Sequence, residues 1–327
     1  MYIAANDQVK TYKGIDFFKF IFALLIVYMH TYCFDGGPVG EWIKGVLSAV
    51  GVPFFFIASG FFFGKGLKKT DVPKEYLRRY ILRITKTYIT WTVITLPVAW
   101  LVIIRSHNDF SFVLKIVYLI RCFFFSGSIG VYWFLLSLIY DAIIIYCFQK
   151  RLKSLFFVAS ILFLIGVIYN SGIIHLGILH KTIHAIFGSE RNFINVGLFY
   201  MLVGFYLSDL KLQIKRSRLL FALFVSLFID TIFYLNSTIR FMQAVDAALF
   251  ALLALQIDFR WGEKISLCLR ENSKALYYAH FPIVLLFDFY LKRGTIIDFC
   301  FSCCSCVLLY YLSKYMLPKK YNKMLYG

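Results

Sequence analysis

Long apolar runs alternate with short polar segments along the whole chain. A helix needs about 20 residues to cross a hydrocarbon core of about 30 Å. Runs of that order predict ten membrane-spanning helices, at 15–34, 45–64, 80–104, 130–149, 154–170, 193–209, 218–235, 240–257, 273–291 and 295–316. A shorter run at 112–125 carries Lys115 and Arg121. We expect it to form a helix at the interface or inside the bundle, with an eleventh span as the alternative.

The composition supports this interpretation of the pattern. Hydrophobic residues make up 61% of the 327 and aromatic residues 20%, and the mean hydropathy is +0.74. This is too apolar for one soluble core. The expected fold is therefore an all-α, polytopic membrane helix bundle, with residues 1–327 forming a single integral membrane domain.

The positive charges predict the orientation of the chain. With a cytoplasmic N-terminus, 24 of the 35 lysines and arginines fall in cytoplasmic segments and nine in outer segments. Cytoplasmic loops normally carry the excess of positive charge, so we expect both termini inside. The net charge of +18 at pH 7 then reflects orientation and attraction to anionic lipid. It does not require a nucleic-acid partner.

The first apolar run contains three ionisable side chains, Asp16, Lys19 and His30. On a helix, the side chains of Lys19 and His30 point in directions within roughly 20° of each other and lie about 16 Å apart along the axis. Asp16 lies one turn below Lys19 and roughly 60° off the line that joins the two. A charge at mid-bilayer costs about 2.5–3.5 kcal/mol even on insertion scales. The stripe is therefore expected to face a protein interior or a wet cavity. The alternative is a signal anchor whose Lys19 reaches the interface.

A basic segment follows the second run. Arg79, Arg83 and Lys86 recur at i, i+4 and i+7 and so form a ridge along one helix face, with Arg78 beside it. Arginine forks match phosphate oxygens in pairs. An orientation signal alone accounts for Arg78 and Arg79 but not for a stripe that continues to Lys86. The ridge predicts a site for an anionic ligand.

Two further runs place polar groups within the membrane. Ser59 and Gly60 suit either close helix packing or the lining of a ligand path. In the ninth run, Tyr277 and His280 lie on one face, and Pro282 frees a backbone carbonyl near the imidazole. A purely structural hydrogen bond is the alternative role for this histidine.

The predicted outer loop at 171–192 ends in Glu190 and Arg191, which are placed to contact an external substrate. Its histidines follow no metal-ligand spacing, and the cysteines of the last run are better explained as small residues packing a helix interface. No metal site is expected.

Five segments, in order, resemble the membrane-embedded acyltransferase 3 family across essentially the whole chain. They are KGIDFFKFIFALLIVYMH, VPFFFIASGFFF, LRRYILRI, GVYWFLLSLIY (with Trp133) and SKALYYAHFP. The family's first-span signature is a basic residue, ten residues and a histidine, matched here by Lys19 and His30. In the family, arginine is usual at the position of Lys19. The family's motif after the second span is normally RR-x-x-R. Here Arg78 and Arg79 match the pair, and the third arginine stands one place later, at Arg83.

The resemblance implies transfer of an acyl group, often acetyl, from cytoplasmic acyl-CoA to a hydroxyl of an extracytoplasmic carbohydrate, which would be a surface polysaccharide, peptidoglycan or a lipid-linked sugar. Acyl-CoA is then a donor substrate, and no permanently bound cofactor is expected. His30 would be catalytic, as a base or as the carrier of the acyl group, together with Lys19 and Asp16, which would meet the donor. The acyl-CoA would be bound by Arg78, Arg79, Arg83 and Lys86. The substrate tunnel or acceptor path would be lined by Ser59, Trp133, Glu190, Arg191, Tyr277 and His280. The expected location is the bacterial plasma membrane.

A second resemblance supports a different class of function. VPFFFIASGFF also looks like the membrane domain of the membrane-bound serine racemases of glycopeptide resistance, which implies amino-acid uptake. In that case His30, Lys19 and Asp16 would form a substrate or coupling site. The cationic ridge has no role in carrying a small zwitterion, which favours acyl transfer.

Overall fold

The computed structural model describes residues 11–31, 37–170, 192–210, 213–237, 242–290 and 296–327, and within them every regular element is a helix. The helices are α1 (Lys13–Thr31), α2 (Pro38–Lys69), α3 (Pro73–Ser106), α4 (Phe112–Arg121), α5 (Trp133–Cys147), α6 (Leu152–Asn170), α7 (Phe193–Leu207), α8 (Arg216–Ser237), α9 (Gln243–Gln256), α10 (Glu263–Tyr290), α11 (Ile296–Met316) and α12 (Lys319–Tyr326).

Each predicted span overlaps one of these helices, and the chain is a multi-pass membrane protein. Among the described residues six helical segments are long and apolar enough to cross a bilayer, and they include α1, α2, α3 and α11 and most of α6 and α8. Helices α5, α7 and α9 are apolar but shorter. The count of ten spans and the orientation remain predictions. Helix α4 has ten residues and the π-helical turn Cys122–Ser126 follows it directly, and an eleventh span in this region stays the alternative prediction.

Helices α2 and α7 pack in close contact through glycines. A Cβ added to Gly60 would lie 2.0 Å from the carbonyl oxygen of Met201, and one added to Gly204 would lie 1.9 Å from that of Ile57. The backbones can approach this closely only because both positions lack a side chain. The prediction that Gly60 admits a neighbouring helix is confirmed, and α7 is that helix.

Helices α1 and α10 run in the same direction, side by side. Near their starts, Asp16 accepts hydrogen bonds from Ser266 and Arg270, and further along the imidazole of His30 lies beside that of His280. We name the end of the bundle where both helices begin the basic end, because Lys13, Lys65 and Lys68 also lie there. The opposite end is the distal end.

Helix α12 packs against the bundle beside α3, α10 and α11. Trp91 donates from Nε1 to the carbonyl oxygen of Leu325 at 2.7 Å, and the ring of Tyr326 packs against those of Trp91, Tyr278 and Tyr310. Lys274 of α10 donates to the carbonyl oxygen of Gly327 at 3.2 Å.

Candidate functional site

A cavity of about 790 Å³ opens among α1, α2, α3, α6, α7 and α10 and the turn after α4. Much of its wall is apolar. The polar side chains that line it include His30, Ser48, Arg121, Ser126, Ser128, Asn195, Gln243, Tyr277 and His280. Its volume lies in the range of pockets that hold small organic ligands.

Two histidines meet in this cavity. The rings of His30 and His280 have their centroids 5.4 Å apart at an interplanar angle of 35°, and Phe281 lies edge-on to His30 at 4.9 Å. His30 is partly exposed to the cavity, whereas His280 is buried. The first-span face predicted to meet a protein interior or wet cavity does so at its His30 end.

The backbone of α10 orients His280. Its Nδ1 lies 2.7 Å from the carbonyl oxygen of Leu276 and 3.0 Å from that of Tyr277, so Nδ1 carries the proton in the neutral ring. The lone pair is then on Nε2, which has no hydrogen-bond partner among the described residues. His280 is among the residues that line the cavity, and its Nε2 atom is buried.

Prolines shape the helices that carry the site. Pro282 cannot donate to the carbonyl oxygen of Tyr278, which instead accepts from the hydroxyl of Tyr132 at 3.0 Å. Pro53 likewise leaves the carbonyl of Ala49 without its helical partner, and Gln243 of α9 donates to it at 2.7 Å. The prediction of a freed carbonyl near His280 is confirmed. Both substitute hydrogen bonds fix neighbouring segments against the cavity wall.

The other predicted acceptor residues divide between the cavity and other places. Trp133 and Tyr277 line the cavity, and the hydroxyl of Tyr277 donates to the carbonyl oxygen of Val131 at 3.0 Å. Ser59 is half-buried in α2 and is not among the lining residues. Glu190 and Arg191 lie outside the described residues.

Asp16 is occupied by an ion pair. Its two carboxylate oxygens accept from Nε and Nη2 of Arg270 at 2.9 and 2.8 Å, and Oδ2 also accepts from Ser266 at 2.6 Å. The side chain of Asp16 is only 4% exposed, against 39% for Arg270. This arrangement fixes α1 against α10. The catalytic assignment of Asp16 stays a prediction, and its contacts favour a positioning role.

Lys19 belongs to a cluster of positive charge near the basic end. Its Nζ lies 5.2 Å from the ring centroid of Phe62. The negative charge of Asp16 acts on it, and so do the positive charges of Lys274, Arg270 and Arg83. Arg83 also interacts with Lys274. We name Lys19, Arg83, Arg270 and Lys274 the cationic cluster. Like charges are brought together at a cost, and a bound polyanion would offset that cost.

The residues of the predicted ridge on α3 have different surroundings, and only Arg83 belongs to the cationic cluster. Arg78 and Arg79 are exposed and pair with Glu75 at 3.4 and 3.7 Å, and Lys86 is also exposed. Arg83 belongs to the cluster, where it interacts with Lys274, and its guanidinium lies over the ring of Tyr80. The sequence analysis did not single out Arg270 and Lys274. Their i, i+4 spacing on α10 was the available signal, because it puts both on one helix face.

Comparison with known proteins identifies the family. The model of the family described as "acyltransferase domain", acyltransferase 3, matches residues 12–314. The chain belongs to the acyltransferase 3 family. Two curated proteins from Enterococcus faecalis, each named "Amino-acid racemase", are also similar. One is 30% identical over 61% of this chain and 28% of its own length, and the other is 22% identical over 84% and 41%.

The chain thus spans well under half the length of those curated relatives. No solved structure matches it significantly. In this member of the acyltransferase 3 family, the first-span motif runs from the cationic cluster, at Lys19, to the cavity, at His30.

Proposed function

We propose that the protein transfers an acyl group, acetyl in the simplest case, from cytoplasmic acyl-CoA to a hydroxyl of an extracytoplasmic carbohydrate. The observation that carries the proposal is the pairing of His30 and His280 in one cavity, on helices that lead back to a cationic cluster. The family match over residues 12–314 supports the acyltransferase class.

The donor approaches from the basic end, which is the cytoplasmic side in this proposal. Coenzyme A carries several phosphate charges on one end of a long, thin pantetheine arm. Arg83, Lys19 and Lys274 are suited to hold those phosphates, and the exposed Arg78, Arg79 and Lys86 to attract them. The arm then delivers the thioester between α1, α3 and α10 towards the histidines.

The acceptor hydroxyl enters the cavity from the distal end. His30 removes its proton as the oxygen attacks the thioester carbonyl, and Nε2 of His280 can take up or hold that proton. The carbon–sulfur bond then breaks, and the thiolate leaves as the thiol after receiving the proton from the histidines. In the alternative sequence His30 first accepts the acyl group and passes it to the hydroxyl.

The side chains that line the cavity are suited to a carbohydrate acceptor. Hydroxyl and amide groups of Ser48, Ser126, Ser128, Asn195 and Gln243 line it, and Trp133 and Tyr277 add aromatic surfaces. Such a mixture suits sugars, which present hydroxyls at their edges and C–H groups on their faces. The acceptor class comprises surface polysaccharide, peptidoglycan and lipid-linked sugars, and the location is the plasma membrane.

Amino-acid uptake is the second candidate, because the resemblance to membrane-bound serine racemases implies it and two curated relatives are named "Amino-acid racemase". A transported zwitterion needs a counter-charge for its ammonium group. Among the described lining residues of the cavity there is an arginine but no carboxylate. The cationic cluster, which includes Lys19, also has no part in carrying a zwitterion.

Acyl-CoA turnover separates the two candidates. Purified protein is incubated with acetyl-CoA and a mixture of methyl glycosides, and released CoA thiol and acetylated sugar are measured. The proposal predicts both products, with release reduced at least roughly 100-fold by His30→Ala. Lys150→Gln, an exposed change in a turn after α5, is the control. Serine accumulation in proteoliposomes without CoA release would support uptake and contradict the proposal.

A further inference from the structure

Helix α12 has no role in the reaction as proposed, yet its end lies against the cationic cluster. Nζ of Lys274, a member of the cluster on α10, donates to the carbonyl oxygen of Gly327, which directly follows α12, at 3.2 Å. A Cβ added to Gly327 would lie 3.8 Å from the hydroxyl oxygen of Thr87 on α3. Thr87 lies one turn beyond Arg83, the member of the cluster on α3. The end of α12 therefore contacts both helices that carry the cluster.

One hydrogen bond and a set of ring contacts fix α12 in this place. Trp91 of α3 donates from Nε1 to the carbonyl oxygen of Leu325 at 2.7 Å. The buried ring of Tyr326 packs against one aromatic ring from each of three helices, with centroids 6.0, 6.3 and 4.7 Å away: Trp91 of α3, Tyr278 of α10 and Tyr310 of α11. Because it contacts α3 and α10 at once, Tyr326 helps to set the separation of these two helices.

The members of the cluster on α3 and α10 need such a support. Arg83 and Lys274 carry like charges that act on each other, so their own interaction does not hold them together. Lysine is also flexible, and its ammonium group has three N–H donors. A carbonyl that accepts from one donor orients the group and leaves the other two for a ligand. The carbonyl of Gly327 does this for Lys274, and the packing of Tyr326 fixes the segment that presents it.

We propose that α12 positions the donor site, and that Tyr326 is the residue through which it sets the spacing of Arg83 and Lys274. The inference rests on the proposed function for the identity of the donor, and it adds a positioning residue to that site. Tyr326 acts through the cluster and does not itself touch a substrate. Phosphate binding by two cationic side chains depends on their spacing, so a change at Tyr326 should weaken the binding of CoA.

Binding of CoA to the full chain in neutral detergent tests this proposal without requiring turnover. Titration calorimetry measures the dissociation constant per folded molecule. We expect Tyr326→Ala to raise it roughly tenfold or more, the effect of losing one charge-assisted hydrogen bond. Tyr326→Phe keeps the ring contacts and should bind CoA as the wild type does. Tyr321→Ala, which removes a tyrosine of the same helix that is 51% exposed, is the matched control and should also leave CoA affinity unchanged.

A double-mutant cycle separates positioning from a general loss of stability. With Arg83→Gln and Lys274→Gln combined, the phosphate contacts are gone, so Tyr326→Ala should cause no further loss of CoA affinity. The thermal midpoint should fall by a similar amount in both backgrounds. If Tyr326→Ala does not fold, Trp91→Phe, which removes the donor to Leu325, replaces it and should show the same pattern. Unchanged CoA affinity in the folded variant, or an equal loss in both backgrounds, overturns the inference.

The same variants distinguish this inference from the proposed function. A Tyr326-dependent affinity for CoA without acetyl transfer would leave the positioning role standing and reject acyl transfer. Acetyl transfer with an affinity for CoA that does not depend on Tyr326 would do the reverse. A wild-type protein that binds no CoA would overturn both.

Discussion

At the residue scale, the central feature is the difference between two neighbouring imidazoles. His30 lies at the end of a stripe that the first apolar run predicts, and its contact with the cavity agrees with that expectation. His280 is oriented by two backbone carbonyls at Nδ1, and its Nε2 is buried without a hydrogen-bond partner among the described residues. Sequence spacing indicates His280 as a candidate but not its tautomer, because that depends on the local backbone around Pro282.

His280→Asn tests whether Nε2 takes part in the reaction. The amide nitrogen of asparagine can replace Nδ1 as donor to the carbonyls of Leu276 and Tyr277, whereas the basic Nε2 is lost. We expect a folded protein with CoA release reduced roughly 100-fold. The measurement is released thiol per folded molecule, with the thermal midpoint as control. Wild-type turnover in a stable variant would make His280 a structural residue.

Asp16→Asn tests the positioning role of the ion pair. The change leaves the partly buried Arg270 without its anionic partner and weakens charge-assisted hydrogen bonds of about 1.5–3 kcal/mol each. We expect a lower thermal midpoint and a smaller folded yield, with turnover per folded molecule reduced far less than in His30→Ala. A stable variant that is as inactive as His30→Ala would restore the catalytic assignment of Asp16.

At the element scale, helix faces explain both the successes and the failures of the sequence analysis. The periodicity of α3 predicts the ridge, and glycine and proline predict the close packing at Gly60 and the freed carbonyl near Pro282. Periodicity cannot say which helices lie opposite each other. For that reason the sequence does not predict that Asp16 pairs with Arg270 of α10. It also does not predict that Arg79 of the ridge pairs with Glu75 while Arg83 interacts with Lys274.

The cationic cluster leads to a kinetic prediction. If Arg83 and Lys274 hold the phosphates of the donor, Arg83→Gln combined with Lys274→Gln should raise the KM for acetyl-CoA roughly tenfold or more and increase its sensitivity to salt. The KM for the sugar should change little. Initial rates over both substrates check this, with Lys150→Gln as the matched exposed control. A change confined to the sugar KM would reassign the cluster to the acceptor.

At the scale of the whole molecule, the account depends on which end of the bundle faces the cytoplasm. Lys13, Lys65, Lys68 and the cationic cluster share one end, as the positive-inside rule requires of cytoplasmic segments. The sequence predicts this separation of charge because it depends only on where the apolar runs fall. It does not predict the cavity, whose walls come from segments far apart in the chain.

Thiol labelling tests the orientation. Val39→Cys and Asp71→Cys place exposed cysteines at the distal and basic ends, in a background whose native cysteines are replaced by serine. An impermeant reagent should label position 39 in intact cells and position 71 only after the cells are broken. Labelling of position 71 from outside would turn the cationic cluster away from cytoplasmic CoA and contradict the mechanism.

Transfer across a sealed membrane is the most direct test of the central claim. Protein is reconstituted in vesicles loaded with methyl β-D-glucuronide and methyl β-D-glucoside, and labelled acetyl-CoA is supplied only outside. Molecules whose basic end faces outward should place label on the enclosed sugar while CoA appears outside, and His30→Ala vesicles should not. No labelled sugar inside vesicles whose contents stay intact, with label appearing only when the same sugars are instead supplied outside in a parallel reaction, would contradict transmembrane acyl transfer.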